Sequence, residues 1–457
     1  MVAEAGTPRT ATAGTAPGPG GVTYGPWGPA AIPRTLRAVE RLLLDRCQET
    51  VIALLGERVT VEDAGQAAVL RGAIAGHVAE YGRWAAQTAG GAWQLVDPAD
   101  TVRRLYDDLL GLSILQPLMD DPAVEEIICN GPMRLFVKRP LTERVRGVYF
   151  ADAATMLVFA KRLVAMCGER LDESRPFVDG RLPDGSRLNV TIPPAAVDFP
   201  CLTIRKFLLR ASSLAELVDL GTLPQDAADF LEAAFRARVN VLVSGGTATG
   251  KTTLVNALGN ALDADADRVI TIEETPELQL ARSLPNCVAL AARRENIEGA
   301  GETTIRDLVR NALRMTPTRI IVGEVRGAEA LDMLGAMNTG HDGSCCTIHA
   351  NNPRQALQKL ATFAMMAEER LPRSALGEII ADTVELVVQL KADQLTGARR
   401  VTHIYEVTGL EGDTIQGQEL WGGGSASGRL GPTGIAPRCL AKIADAGIAY
   451  RPPRVPA

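Results

Sequence analysis

Aromatic residues are scarce in this chain, at 4% of 457 residues, and positive charge is in deficit: 48 Lys and Arg face 54 Asp and Glu, for a formal net charge of −6. A nucleic-acid binder usually shows a basic field and stacking side chains, so both shortages argue against one. No run of about eighteen uncharged apolar residues exists, and the first residues carry no charged-then-apolar export pattern. The expectation is a soluble, cytoplasmic protein that does not itself insert into a membrane. The eight cysteines (Cys47, Cys129, Cys167, Cys201, Cys287, Cys345, Cys346 and Cys439) are scattered without paired spacing, which excludes a disulfide framework and fits reduced thiols. Histidine is rarer still, with four residues, of which two fall in "NTGHDGSCCTIHANNP" at 338–353. Metal is not the reading there. Ser344–Ile348 reads as a strand, whose successive side chains leave opposite faces, so Cys345 and Cys346 cannot both ligate one ion.

What the chain does have is 46% apolar residues, ample for ordinary globular cores, over a length that suggests about three domains. Residues 1–33 are rich in Ala, Gly, Pro and Thr and read as a disordered tail. Residues 34–116 show apolar positions at helical spacing, as in Val39, Leu42, Leu43, Val51, Ile52 and Leu55, and read as a small helical domain in which His77 is an ordinary side chain. At 117–210, short strand-like runs such as "EEIICNG", "RLFVKR" and "RLNVTIPP" surround one helical stretch near Thr155–Met166, the pattern of an α+β domain. At 211–410, after a linker helix near Ser213–Val218, the runs "VNVLVSG", "RVITIEE", "RIIVGEV" and "GSCCTIHA" each lead toward a helix, as in a largely parallel sheet. "VELVVQL" and "RRVTHIYEV" then read as an antiparallel hairpin, and 411–457 as a C-terminal extension. The fold class is α/β.

The strongest motif is "GGTATGKTT". Gly245, four residues, Gly250, Lys251 and Thr252 match G-x-x-x-x-G-K-[ST], directly after a strand and before a helix. The candidate phosphate-binding residues are Gly245, Gly246, Thr247, Ala248, Thr249, Gly250, Lys251, Thr252 and Thr253. Backbone amides and the helix N-terminus would hold the β-phosphate, Lys251 would reach the β- and γ-phosphates, and the Thr252 hydroxyl would coordinate Mg²⁺. Glu324 stands just past the buried strand Ile320–Val322, where an acid suits the hydration shell of that Mg²⁺. Glu273, Glu274 and Glu277 end another strand, where a carboxylate could aim a water at the γ-phosphate, or where all three could be solvated in a turn. "TTIRDLVRNALRM" opens with a capping-box-like Thr304-x-x-Asp307 and carries a row of Arg306, Arg310 and Arg314, either a solvated face or a partner for phosphate or carboxylate.

The order of "GGTATGKTT", "ITIEETPEL", "ENIEGAGETTIRDLVRNALRM", "RIIVGEVRGAEALDML" and "NTGHDGSCCTIHANNP" resembles the type II/IV secretion ATPase superfamily, especially its tight-adherence (Tad/Flp) pilus branch of the CpaF/TadA type. The likeness extends through "EEIICNGPMRLFVKR", "RPFVDGRLPDGSRLNVTIPP" and "LTIRKF" upstream and "PTGIAPRCLAKIADAGI" downstream, about residues 115–445. The resemblance implies a homohexameric ring of RecA-like P-loop ATPase domains, each preceded by an α+β domain. ATP and Mg²⁺ would be consumed and held there, with the ring docked on an inner-membrane platform protein to drive pilus assembly or retraction, or secretion. Lys251 would belong to Walker A, Glu273–Glu277 to the Asp box with Glu277 orienting water, and Glu324 to Walker B. His341 and His349 would sense the γ-phosphate, and Arg181 and Arg187, with Arg205 contributing, would act as arginine fingers. The chain departs from the family pattern at Glu274, where Asp is commoner, at Ala248, where Gly is common, and at Cys345 and Cys346. A RecA-like nucleic-acid translocase and a slow nucleotide-gated scaffold are the competing readings.

Overall fold

The computed structural model describes residues 36–55, 64–88, 94–139, 141–208, 211–293, 295, 301–393, 395–423 and 430–453. The segment 1–33 lies outside them. The described residues form two compact units, one up to 137 with 144–206, the other 138–143 with 207–453.

The first unit opens with helices α1 (Leu36–Leu55), α2 (Ala64–Thr88) and α3 (Pro98–Leu109). Leu43, Cys47, Ile74, Val78, Tyr81, Trp84 and Leu105 form their shared core. Asp97 caps α3 by accepting from the Asp100 amide, with Pro98 at the first helical position. His77 sits 2.8 Å from the Thr50 hydroxyl, an ordinary interhelical contact. After the short α4 (Gln116–Asp120) come β1 (Glu126–Asn130), β2 (Leu135–Lys138), β3 (Thr142–Arg144), α5 (Ala153–Met166), β4 (Phe177–Arg181), β5 (Arg187–Thr191) and β6 (Cys201–Arg205). β1, β2, β4, β5 and β6 are neighbours in one sheet in the order β2-β1-β6-β5-β4, and β3 falls at the boundary, with Thr142 and Glu143 counted to the other unit. Ile127, Cys129, Leu188, Val190, Leu202 and Ile204 alternate onto the face covered by Met156, Phe159, Ala160 and Leu163 of α5. On the opposite face the antiparallel register aligns Arg181 with Arg187, Arg187 with Arg205, and Arg205 with Glu126.

The second unit comprises α6 (Leu214–Asp219), α7 (Gln225–Arg236), β7 (Val241–Gly245), α8 (Lys251–Gly259), β8 (Val269–Glu273), α9 (Leu280–Ser283), β9 (Cys287–Ala291), α10 (Ile305–Ala312), β10 (Arg319–Val322), α11 (Glu329–Asn338), β11 (Cys345–Ile348), α12 (Pro353–Ala364), α13 (Arg373–Thr383), β12 (Leu386–Ala392), β13 (Arg399–Glu411), β14 (Thr414–Gly422), β15 (Gly431–Pro432) and α14 (Leu440–Asp445). Its nine-stranded sheet runs β15-β14-β13-β12-β7-β11-β10-β8-β9. From β12 to β9 every pairing is parallel, whereas β13, β14 and β15 continue antiparallel. The segment expected as a C-terminal extension thus supplies β14, β15 and α14 to this unit, and Trp421 of β14 stacks on Phe230 of α7 at 4.7 Å.

Successive residues of the central strands divide between two cores. Val241, Val243 and Cys345 join α7 and α8 in one, and Leu242, Cys346 and Ile348 join α10 to α13 in the other. The adjacent cysteines therefore leave opposite faces, and burial pushes the Cys346 thiol up to about 12. Local signals start the helices as their sequences suggest: Thr304 and Asp307 form a reciprocal capping box on α10, and Asn352 caps α12 ahead of Pro353.

At the amino edge of the sheet, Arg319 is 2% exposed. Its Nε donates to Asp267 at 2.9 Å, Nη1 to the Phe235 carbonyl at 2.6 Å and Nη2 to the Arg236 carbonyl at 3.1 Å. One guanidinium thus satisfies the end of α7 and neutralises a buried carboxylate. Arg319→Met should cost about 3–5 kcal/mol in chemical denaturation, because Asp267 would stay buried without its charge partner. A loss under about 1 kcal/mol would show that the pair carries little of the unit's stability.

Candidate active site

The parallel strands β7, β11, β10 and β8 end at the same edge of the sheet, so the loops that follow them converge there. The loop after β7 carries the phosphate motif. Ala248 adopts φ +59° and Gly250 φ +95°, and the Thr249 hydroxyl donates to the Gly246 carbonyl at 2.9 Å. Ala248 is thus a left-handed residue with a Cβ, a conformation that costs about 1 kcal/mol or more and that glycine would adopt freely.

Lys251, the first residue of α8, is 8% exposed. Its Nζ donates to the Gly245 carbonyl at 3.1 Å and the Gly246 carbonyl at 2.8 Å, and lies 3.4 Å from His349 Nδ1. His349 follows β11, and its Nε2 lies 3.0 Å from Glu324, which follows β10. Desolvation, then the charge of Lys251, holds the His349 pKa below its ordinary value against the pull of Glu324. A neutral ring facing an ammonium on Nδ1 and a carboxylate on Nε2 carries its proton on Nε2. Burial opposes ionisation of Glu324, but the Arg326 hydrogen bond and the charges of Arg326 and Lys251 together hold its carboxyl below the usual range. Arg326 bridges Glu324 at 2.8 Å and Glu274 at 3.0 Å.

The three acids after β8 have separate parts. Glu273, 5% exposed, turns inward and accepts from the amides of Glu277 at 2.9 Å and Leu278 at 3.2 Å, so it shapes the turn. Its side chain passes so close to Gly323 that a Cβ there would lie 2.6 Å from Glu273 Cγ, which explains the glycine in "VGE". Glu274 faces Arg326. Glu277 accepts from the Thr252 hydroxyl at 3.3 Å and stands nearest the phosphate loop of the three. Among the described residues no group of three His, Cys, Asp or Glu could hold a metal ion. This donor set nevertheless fits Mg²⁺, which keeps most of its waters and takes only one or two protein oxygens beside substrate phosphates. Thr252 and Glu324 would hold it, and it would supply charge neutralisation.

His341 is not brought to this edge. It precedes β11 at the sheet's other edge, where Gly343 and Ser344 donate to Asn240 Oδ1 and the Ser344 hydroxyl donates to the His341 carbonyl at 2.7 Å. The four-residue strand between the two histidines spans about 13 Å, so only His349 reaches Lys251. Arg181 and Arg187, with Arg205, lie in the first unit, in one cross-strand row. Arg306 and Arg310 are occupied structurally: both bind Asp332, at 2.5 and 2.7 Å, and both bind Glu369. The motif reading had no signal for Arg326, whose role depends on two loops meeting.

Because His349 has a lower pKa folded than unfolded, the unfolded chain binds more protons in the window just below the ordinary histidine value. Its contribution to stability is therefore lost as pH falls through that window. NMR titration should place the His349 midpoint below 6.5, and the stability advantage of wild type over His349→Gln should shrink on acidification. A midpoint above 6.5 would refute the neutral-ring assignment.

The family model for type II/IV secretion system proteins matches residues 108–416. A putative conjugal transfer protein of Mycobacterium tuberculosis is 37% identical over 326 residues, covering 70% of this chain and 91% of that protein. The conjugal transfer protein TrbB of Rhizobium radiobacter is 33% identical over 317 residues, covering 69% and 93%. Among solved structures, the VirB11 ATPase of the Brucella suis type IV secretion system is similar at 27% identity, covering 68% of this chain and 97% of that one, with a TM-score of 0.36. The Legionella pneumophila ATPase DotB is similar at 21% identity, covering 63% and 78%, with a TM-score of 0.47. The match over most of the chain leads to one conclusion: this chain belongs to the type II/IV secretion system protein family.

Proposed function

We propose that this ATPase is a Mg²⁺-ATP-driven motor that works as a homohexamer at the cytoplasmic face of the inner membrane, docked on the platform protein of a secretion or pilus machine. Its finer placement, in this reading, is the tight-adherence pilus branch. The observation that carries the reading is the convergence on Lys251. A phosphate loop, a buried cation, a neutral imidazole and two functional carboxylates, Glu277 and Glu324, come from four different strands to one edge. No helix among the described residues is long and apolar enough to cross a membrane, so membrane attachment is assigned to partners.

The chemistry follows from these positions. Lys251 and the loop amides stabilise charge on the transferring phosphoryl group, and Glu277 holds the attacking water in line. His349 stands where a γ-phosphate oxygen would replace Lys251 or Glu324 as its neighbour, so occupancy of that position would alter its hydrogen bonds. Arg181, Arg187 and Arg205 stand abreast in one cross-strand row of the first unit's sheet, a concentration of positive charge beside Glu126. We assign Arg181 and Arg187, helped by Arg205, to the nucleotide of a neighbouring subunit.

Lys251→Ala should abolish ATP turnover, and so should Arg187→Ala. Mixing the two inactive variants should restore measurable turnover, because some subunits would pair an intact Lys251 with an intact Arg187 from the neighbour. Wild-type turnover per chain should rise steeply with protein concentration and then saturate. Hydrolysis unchanged in Lys251→Ala would sink the assignment, and mixtures that stay inactive would argue against a site completed in trans.

A further inference from the structure

The imidazole and the carboxylates assigned to the cleavage end all lie on one flank of β7. In the strand order β12-β7-β11-β10-β8, His349 follows β11, Glu324 follows β10 and Glu277 lies in the loop after β8. The other flank belongs to the β12–β13 hairpin, which has no part in the chemistry above. It is nonetheless in direct contact with the phosphate loop. A Cβ on Gly245 would lie 2.9 Å from the Leu390 carbonyl oxygen, and a Cβ on Gly250 would lie 3.8 Å from Leu390 Cδ2 and 3.6 Å from Arg399 Cδ. The hairpin outruns β7, because Leu390 pairs with Gly245 and then Lys391 and Ala392 pair onward with Arg400 and Arg399. Arg399 is therefore a half-buried cation at the first position of β13, its stem laid against the last glycine of the loop.

Which part of a nucleotide would meet it follows from the same geometry. If the γ-phosphate lies among Glu277, Glu324 and His349, the remainder of the extended triphosphate leaves the loop on the opposite side, toward β12 and β13. We propose that Arg399 is a binding residue for the end of the nucleotide remote from cleavage, the α-phosphate with its nucleoside. Its guanidinium would donate to phosphate oxygens or lie against the base, both interactions suited to Arg. This assignment rests on the reading of the loop as an ATP site. ATP and ADP share the part Arg399 would touch, so it should hold them alike and contribute nothing to the cleavage step.

The test uses the full chain with fluorescent N-methylanthraniloyl ADP and a non-hydrolysable ATP analogue as probes. Arg399→Gln should raise the Kd of both by a similar factor, about tenfold for one charge-assisted hydrogen bond. It should also raise KM for ATP while leaving kcat at saturation close to wild type. Arg399→Lys, which keeps a charge but loses the planar fork, should fall between. Arg400→Gln, on the neighbouring exposed position, should bind like wild type. The melting temperature without nucleotide serves as the folding control and should stay well above the assay temperature in all three. Unchanged binding in Arg399→Gln, weakened binding of the ATP analogue alone, or a fall in kcat at unchanged KM would each overturn the proposal. A wild-type chain that binds neither probe would overturn the ATP-site reading first, and the role of Arg399 with it.

Discussion

A lysine that is 8% exposed needs acceptors around its ammonium, and at Lys251 the surroundings account for most of the site. Two of its acceptors are carbonyls of its own loop, so the loop closes on the cation that follows it. His349 Nδ1 lies 3.4 Å away, and the imidazole stays neutral partly because an ammonium stands there. A neutral ring in that position has its remaining proton on Nε2, and that proton points at Glu324. Glu324 in turn is ionised against its burial by Arg326 and by the charge of Lys251. Protonation states across three strands are therefore linked to one buried charge, which a bound triphosphate would engage directly.

The sheet makes this linkage possible. β11 lies between β7 and β10, so the residue that follows β11 is interposed between the phosphate loop and the acid after β10. With strands about 4.8 Å apart, β7 and β10 stand two strand spacings from each other, and the imidazole after the strand between them reaches groups that follow both. The same parallel packing separates His341 from His349: two histidines at opposite ends of a short buried strand reach opposite edges of the sheet. The amino edge then does structural work, with Arg319 binding the end of α7 and Asn240 holding the turn that contains Gly343 and Ser344.

Much of this was legible in the residues and some was not. The phosphate loop, the acid at the end of "RIIVGE", the capped starts of α10 and α12 and the β12–β13 hairpin are local patterns, and local physics forms them. Strand order is not local. Nothing in "GSCCTIHA" announces that it pairs with "VNVLVSG" on one side and "RIIVGEV" on the other, because any of the parallel runs has the same apolar texture. The alignment of Arg181, Arg187 and Arg205 likewise depends on the register of three strands, fixed by the hydrophobic alternation beneath them. The arginine row of α10 showed a charged face but not its partners, since Asp332 and Glu369 lie 22 to 63 residues further on and reach it only through packing.

Four carboxylates crowd the edge where the phosphates would bind, and their mutual repulsion would oppose binding of a polyanion unless each were engaged. The structure engages them differently. Glu273 is spent on backbone amides that its own turn leaves unsatisfied, and it keeps that turn in place. Glu274 and Glu324 share Arg326, so two negative charges meet one guanidinium, with the Glu274 carboxylate 3.0 Å from Nη1. Glu277 alone of the four sits against the hydroxyl of Thr252, on the helix whose N-terminus would face the β-phosphate. The acids of "EETPE" are thus not interchangeable. One builds the turn, one tethers the loop after β10, and the turn so built sets the third beside the phosphate loop, as the water-orienting role proposed for it requires.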